Sequence, residues 1–356
     1  VTQPLLKNAG SLVNRAAVTR AEINVLREDE SLRAAALDVV RDTEMAYWGL
    51  ALQQERLLVS RAALDLSRSL LRETEAKVGQ GLKTKVDVLQ AQADVASKEE
   101  AVTVGEQGVG DAQDTLARLM HRLAELEDRS LSVSPLPDTP PPAPDEDSSF
   151  TRALELQPEY RILQKNLEES ELEFDVARRR ERPELNLVGR GGVAGKADDR
   201  ADAYDGMFAG EGYNWKVDLV FRYPLGLREE GARAAQAYYG VAQGGLRLED
   251  AEEQILQDVR ARCRGVRTGL ERIRIARVAR ELNEQQVEQE RERFDAGLIT
   301  VRNVLDAQDD LNEARLRVLV AMRDTIEAAV RLGRLEGSLL ETHGIDWKPN
   351  EERAEP

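Results

Sequence analysis

Apolar residues recur every seven positions over long stretches of the chain. A seven-residue apolar period predicts a helix that packs its apolar seam against other helices. The period covers four stretches and therefore predicts helices at about 11–78, 86–123 and 301–340, together with a long helix that begins near 228. The positions that define the pattern are Leu50, Leu57, Leu64, Leu71 and Val78 in the first stretch, accompanied by Gln53, Ser60, Ser67 and Thr74, and Val266, Ile273, Val287 and Phe294 in the third.

The turns between these helices are duplicated. Residues 81–94 (GLKTKVDVLQAQAD) match residues 297–310 (GLITVRNVLDAQDD) at eight of fourteen positions, 216 residues later. Each copy interrupts one long helical pattern at a glycine and begins another. The chain is therefore predicted to contain two long antiparallel helical hairpins, related as an internal repeat, whose turns are built alike.

Local helix chemistry explains most of the residues in both turns. Gly81 and Gly297 are predicted to end their helices in the left-handed backbone region. Thr84 and Thr300 are placed to cap the helices that follow. Asp87, three residues after Thr84, adds an acidic group in the first turn of the helix.

Two segments in the middle of the chain alternate in polarity and are strand candidates. The segment 183–193 alternates through small and aliphatic residues, and 213–223 alternates more regularly. About ten alternating residues with aromatics towards both ends suit a transmembrane β-strand, although a half-buried hairpin of a soluble protein shows the same pattern. In lipid every strand edge must be paired, so two strands would require other strands or other subunits. One face of the second segment carries Tyr213, Trp215, Val217, Leu219 and Phe221.

A proline-rich stretch separates the two repeats. Residues 135–147 contain repeated prolines, which lack the backbone donor that a helix needs and predict an exposed connection. Pro158 is well placed to open a short helix that ends at Arg178-Arg-Arg-Glu-Arg182. These cations suit the negative end of a helix, and just before a membrane strand they could also meet acidic lipid headgroups. The segment 194–212 is predicted to be a solvent loop.

Composition argues against several classes of function. A net charge of −16 disfavours nucleic acid as a partner, because phosphate binding needs a basic surface. One cysteine allows no disulfide within the chain, and the two histidines lack the spacing of a metal site. The segment 189–194 fits the pattern G-x-G-x-x-A, but no amphipathic helix follows it to bind a pyrophosphate. We therefore predict no catalytic residue, no metal and no cofactor.

The order of these elements resembles that of the TolC-like outer membrane efflux proteins. The resemblance rests on the two Gly-Leu-x-Thr turns with Val-Leu-x-Ala-Gln, on Gln157-Pro-Glu-Tyr160, and on Arg182-Pro-Glu-Leu-Asn-Leu187. Residues 3–10 look like the exit from that family's first strand pair. The resemblance implies a mainly α fold with a small β part, in which the hairpins form a trimeric α-barrel and the β-hairpin joins a transmembrane β-barrel.

The resemblance also implies a function and partners. It suggests an outer membrane channel subunit of a tripartite efflux or secretion system in a Gram-negative bacterium, with the helical part in the periplasm. The channel would be a passive homotrimeric export duct surrounded by outer membrane lipid, gated when a periplasmic adaptor and an inner membrane pump dock. The alternative is a soluble periplasmic coiled-coil adaptor or scaffold protein.

In this family the helical tips carry the gate. Its best-known member carries an arginine and an aspartate, which pair and lock the gate, at the positions of Ile299 and Asn303. In this chain Arg302 or Lys85 would supply the positive charge of such a lock. Three copies of Asp306 would form an acidic ring that favours cations, although a solvated carboxylate is the simpler interpretation. The gate candidates are Asp87, Ile299, Arg302, Asn303 and Asp306. The candidates for adaptor docking are Gly81, Leu82, Thr84, Gly297, Leu298 and Thr300, and those for lipid contact are Tyr213, Trp215, Val217, Leu219 and Phe221.

The predicted domain organisation follows from the repeat. The first helical repeat is expected to lack the strand pair that would precede it, and the second repeat contains all the other elements. The expected ranges are 1–126 for the first repeat, 127–150 for the linker and 151–356 for the second repeat, with a short helix at 158–181, membrane strands at 183–194 and 213–224, a long helical hairpin at 228–340 and a C-terminal tail.

Overall fold

The protein consists mainly of long helices with a small sheet, as predicted. The computed structural model describes residues 1–122, 131–193, 213–223, 226 and 228–347. The predicted loop 194–212, residues 348–356 of the C-terminal tail, residues 123–130 and residues 224, 225 and 227 lie outside the described residues. The elements are β1 (Thr2–Pro4), α1 (Ser11–Gly79), α2 (Lys85–Leu119), α3 (Glu146–Leu156), α4 (Pro158–Arg180), β2 (Glu184–Val193), β3 (Tyr213–Arg222), α5 (Arg228–Asp295), α6 (Val301–Glu336) and α7 (Leu339–Thr342).

The chain divides into two compact units. The first contains the described residues of Val1–Leu32 and Pro158–Glu253, and the second contains those of Arg33–Gln157 and Gln254–Trp347. Helices α1 and α5 each contribute to both units. Because each unit combines segments from both halves of the sequence, the division into two sequential repeats stays a prediction.

The first unit contains an antiparallel sheet in the order β1, β2, β3. Leu187 of β2 pairs with Leu219 of β3, and Thr2 of β1 pairs with Val188. Strand β1 was not predicted from the sequence, because three residues are too few for an alternating pattern to appear. Beside the sheet, α4 packs on α5: the Tyr160 hydroxyl donates a hydrogen bond of 2.5 Å to Glu252.

The second unit buries the predicted heptad seam of α1. Leu50, Leu57 and Leu64 are all buried. Further along, Leu70 is buried while the predicted Leu71 is only partly covered. Towards the tip the buried stripe of α1 passes through Ser67, Leu70 and Thr74, and Leu70 packs into the cluster that contains Phe294 and Val301. The main apolar cluster of this unit joins α1, α5, α6 and α7 through Leu37, Ile273, Ala321, Met322, Ile326, Val330, Leu339 and Leu340.

Helix α3 was not predicted from the sequence. It begins inside the expected linker at Asp145, whose carboxylate accepts a hydrogen bond of 3.0 Å from the Ser148 backbone N–H. The prolines just before it concealed this N-cap. Helix α3 is held by an ion pair of 3.0 Å between Arg152 and Glu336. No helix among the described residues combines the length and the apolarity needed to cross a bilayer.

Candidate functional site at the helical tips

The first tip is a tight turn between α1 and α2. Gly81 has a φ of +76°, the left-handed conformation predicted for it. The Gly81 N–H donates to the Val78 carbonyl at 3.0 Å, and the Leu82 N–H donates to the Lys77 carbonyl at 2.9 Å. These bonds satisfy the carbonyl groups at the end of α1, which the helix itself leaves unpaired.

A reciprocal set of hydrogen bonds closes this tip at the start of α2. The Thr84 backbone N–H and hydroxyl donate to the Asp87 carboxylate at 2.9 and 2.7 Å, and the Asp87 N–H donates to the Thr84 hydroxyl oxygen at 3.4 Å. Asp87 is buried. Burial by itself would raise the pKa of this carboxyl, but the Thr84 hydrogen bonds, the Lys83 charge and the Val301 backbone N–H together lower it. Asp87 is therefore ionised at neutral pH and holds both Thr84 and the start of α6.

The second tip, between α5 and α6, has the same backbone but a different cap. Gly297 has a φ of +77°, and the Leu298 N–H donates to the Arg293 carbonyl at 2.9 Å. Thr300 is the N-cap of α6, yet its side chain accepts no hydrogen bond from the helix backbone. Its hydroxyl instead donates to the Asn303 side-chain oxygen at 2.9 Å. The reciprocal cap of the first tip is thus absent from the second.

The two tips contact each other directly. The Lys83 ammonium donates a hydrogen bond of 2.8 Å to the Ile299 carbonyl. Lys77 and Lys83 each lie 4.2 Å from the centre of the buried Phe294 ring, a distance at which cation–π attraction is effective. Lys77 also pairs with Asp295 at 3.0 Å. Burial would lower the pKa of Lys77, but its bonds to Glu73 and Asp295 raise it.

The structure separates the predicted gate residues into two groups. Asp87 and Ile299 are held between the tips, where Ile299 packs against the apolar cluster that contains Phe294 and Val301. Arg302, Asn303 and Asp306 lie on the exposed side of α6. Arg302 and Asp306, one helical turn apart, approach to 3.7 Å. The second group is therefore exposed to solvent, whereas the first is enclosed by the contact between the tips.

Large apolar side chains project from both tips. Leu82 is 68% exposed and Leu298 is 73% exposed, although both come from hydrophobic positions of the duplicated turn. On α2, Val86 and Leu89 are also exposed. These side chains form an apolar surface next to the turns that were predicted to dock a partner.

Lys77, Lys83 and Phe294 were not singled out from the sequence as tip residues. A signal was present, because Lys83 and Ile299 occupy equivalent positions of the two repeats, 216 residues apart. Equivalent positions come together when two duplicated hairpins pack side by side. Farther from the tips, Lys98 of α2 forms an ion pair with Asp309 of α6.

The predicted lipid-facing residues all lie on one exposed face of β3. Tyr213, Trp215, Val217, Leu219 and Phe221 are between 60% and 73% exposed. At the end of the strand Arg222 pairs with Glu184 of β2 at 2.8 Å.

The structure also bears on the candidate metal ligands, the cysteine and the glycine motif. Among them, no group of three or more His, Cys, Asp or Glu side chains could hold a metal ion. Cys263 is buried, and burial raises the pKa of its thiol. Residues 189–193 of the glycine motif lie within β2, and Ala194 lies outside the described residues.

Comparisons with known proteins agree on one family. The family model of the outer membrane efflux proteins matches residues 6–121 and 150–338. The outer-membrane channel OprN has a similar structure, with a TM-score of 0.76 and 19% identity over 98% of this chain and 74% of that one. The CmeC outer membrane channel of Campylobacter jejuni gives 0.70 and 15% over 98% and 73%. The open state of the MtrE outer membrane channel of Neisseria gonorrhoeae gives 0.72 and 17% over 95% and 74%.

No curated protein sequence matches the chain. The family model nevertheless covers both helical hairpins and both long strands, so the match extends over most of the chain. The chain belongs to the outer membrane efflux protein family, whose members are channels in the outer membrane of Gram-negative bacteria with their helices in the periplasm.

Proposed function

We propose that the chain is one subunit of a homotrimeric, passive export duct whose aperture lies at the helical tips. The duct opens when a periplasmic adaptor and an inner membrane pump dock, and it performs no catalysis. The observation that carries the proposal is the bonding between the tips: Lys83 links to the Ile299 carbonyl, while Arg302 and Asp306 remain exposed on α6.

The sheet supports assembly from several subunits. Within the described residues β3 pairs on one side only, with β2, and its other edge has no partner strand. Its apolar face is also exposed to the surroundings of the single subunit. In a bilayer an open edge with unpaired backbone groups is costly, so further strands, including those of other subunits, complete the sheet.

The exposed side of α6 supports the position of the aperture. Among the described residues Asp306 forms an ion pair with Arg302 of its own helix alone, at 3.7 Å, and its side chain is 66% exposed. In a trimer with this side inward, three carboxylates would share one constriction. Their negative potential would attract cations and disfavour anions.

The apolar tips support docking of a partner. Leu82 and Leu298 gain nothing from exposure to water, whereas burial of a leucine side chain contributes roughly 2 kcal/mol. Both lie beside glycines that keep the turns narrow. An adaptor with an apolar helical tip fits this surface.

The experiment compares Asp306→Asn with the wild-type protein in planar bilayers. We expect the variant to show lower permeability of cations relative to anions and weaker block by multivalent cations. Asp114→Asn is the matched control, because Asp114 is an exposed carboxylate on α2, away from the tips. Unchanged reversal potential and unchanged block in Asp306→Asn would remove Asp306 from the constriction. A wild-type protein that stays soluble without detergent and conducts no ions would favour the adaptor or scaffold alternative instead.

A further inference from the structure

Four arginines gather where α4 gives way to β2. Arg178, Arg179 and Arg180 form the last turn of α4, and Arg182 precedes the strand by two residues. We call Arg178, Arg179, Arg180 and Arg182 the arginine cluster. Within the described part of the chain, none of their guanidinium groups forms a hydrogen bond or ion pair with a carboxylate.

The cluster lies at the helix side of the strand pair. Glu184, the first residue of β2, is opposite Arg222 at the end of β3. The exposed apolar face of β3 ends one residue earlier, at Phe221, and Tyr223 follows with half of its surface exposed. Tyrosine is enriched where lipid hydrocarbon meets the headgroups. The arginine cluster therefore adjoins the level at which a lipid layer around the strands would present its phosphates.

A groove continues from the cluster between α1, α4 and α5. Its volume is about 820 Å³, which falls within the range of pockets that hold small polar ligands. Lys7 and Arg20 on its wall are neutralised by Glu230 and Glu173, each at 3.0 Å. Arg180 on the same wall has no such acid among the described residues. Of the arginine cluster, Arg180 lines the groove and supplies positive charge that no described carboxylate neutralises.

The helix dipole does not account for the whole cluster. Cations in the last turn of a helix are favourable, but the effect falls off beyond that turn. Arg182 lies after the end of α4. The Arg179 side chain is only partly exposed and lies beside Gly10 of the N-terminal segment. A Cβ on Gly10 would come within 3.1 Å of the Arg179 Nη1 atom.

We propose that the arginine cluster binds the phosphate groups of anionic phospholipids in the leaflet that faces the helical part of the protein. Guanidinium groups suit this partner because they donate two parallel hydrogen bonds to phosphate oxygens. The site fixes the depth of the subunit in the membrane. This inference rests on the proposed function, since it requires β2 and β3 to lie in a bilayer.

The experiment measures lipid selectivity of the reconstituted full chain. Vesicles of phosphatidylcholine carry either spin-labelled phosphatidylglycerol or spin-labelled phosphatidylcholine, and the immobilised fraction of each label gives the relative association constant. One arginine near an anionic surface favours binding by roughly fivefold. The measurement averages over all lipids in contact with the protein, most of which lie away from the cluster. We therefore expect wild-type protein to favour phosphatidylglycerol about threefold. The triple variant Arg178→Gln, Arg179→Gln, Arg180→Gln should lose this preference.

The matched control is Arg260→Gln, Arg262→Gln, Arg264→Gln. These three arginines are exposed in the middle of α5 and lack carboxylate partners among the described residues, so the change in net charge is the same. The control should retain the wild-type preference. Equal loss in both variants, or no loss in the first, would overturn the proposal.

Two further measurements distinguish lipid binding from binding of free phosphate and from a failure of the triple variant to fold. Millimolar inorganic phosphate at constant ionic strength should leave the selectivity unchanged; if it abolishes the preference, the cluster binds free phosphate and the lipid assignment is wrong. If the triple variant does not reconstitute, Arg182→Gln alone, outside the helix, should give a smaller loss of selectivity in the same direction, and unchanged selectivity would overturn the proposal.

Conductance in the same lipids tests the duct separately. A conducting wild type without lipid preference refutes only this inference, whereas no conductance refutes the proposed function.

Discussion

The two tips of the molecule have nearly the same turn sequence but different bonding. Both have a left-handed glycine, and both begin the next helix with threonine. In the first tip Asp87 accepts two hydrogen bonds from Thr84. In the second, Asn303 accepts only the hydroxyl of Thr300 and leaves the helix backbone uncapped. The turn with Asp87 therefore has a side-chain cap, and the turn with Asn303 at the equivalent position lacks one.

The helices that follow the tips differ in how much of their apolar surface is buried, and here the second tip has the more extensive contacts. Helix α6 buries a continuous apolar stripe, whereas α2 buries few residues and leaves Val86, Leu89 and Val104 exposed. The first tip is therefore held by its own local bonds. The second tip is held by packing and by Lys83, a residue of its neighbour. The position of the second hairpin therefore depends more on contacts with neighbouring helices than that of the first.

The largest expected effect comes from removing the cap of the first tip. In Asp87→Ala the exposed Thr84 loses its cap partner and the N–H of the buried Val301 loses its acceptor, and the loss of a cap together with a buried acceptor costs about 1–3 kcal/mol. Amide hydrogen exchange in residues 84–88 should accelerate by roughly 5- to 150-fold in response. The matched change Asn303→Ala should accelerate exchange in residues 300–304 by less than about threefold, since it removes no cap. Equal acceleration at both tips would show that the caps do not differ.

The stability of the first tip is expected to depend on pH through Asp87. Because the pKa of Asp87 is lowered in the folded state, its contribution is fully present above the ordinary value of 3.8 and is lost as pH falls through the lower folded value. After correction for intrinsic exchange rates, protection of the first tip should stay constant down to about pH 5 and then decrease below the ordinary pKa. The Asp87→Ala variant should lack this decrease. A decrease of equal size in that variant would assign the effect to other carboxyl groups.

Local rules predicted the parts of the tips that depend on neighbouring residues. The conformations of Gly81 and Gly297 follow from the turn sequence alone, and so does the pairing of Thr84 with Asp87. The contact of Lys83 with Ile299 could not be predicted in the same way, because it depends on how two hairpins pack. Helix α3 was missed for a related reason: its Asp145 cap directly follows a proline run that suggests an irregular connection.

The second largest effect concerns the link between the tips. Lys83→Met keeps the apolar stem but removes the hydrogen bond to the Ile299 carbonyl and one of the two cations on Phe294. The loss should be about 1–2 kcal/mol, so spontaneous channel openings in planar bilayers should become roughly 5- to 30-fold more frequent. Arg72→Met is the control, because Arg72 is exposed near the end of α1, forms no ion pair among the described residues and carries the same charge. If both variants open equally often, net charge at the tip controls opening and the Lys83 link does not.

The smallest effect comes from converting the second tip into a copy of the first. Asn303→Asp gives Thr300 the same partner, three residues on, that Asp87 gives Thr84, and a reciprocal cap stabilises a helix start by about 0.5–1 kcal/mol. Exchange in residues 300–304 should slow by roughly two- to fivefold, and channel openings should become rarer. Adding Thr300→Val removes the hydroxyl that completes the cap and should cancel most of the gain. If the slower exchange persists in the double variant, it comes from the interaction of the negative charge at the start of α6 with the helix dipole. The difference between the tips would then be electrostatic and would not depend on the cap.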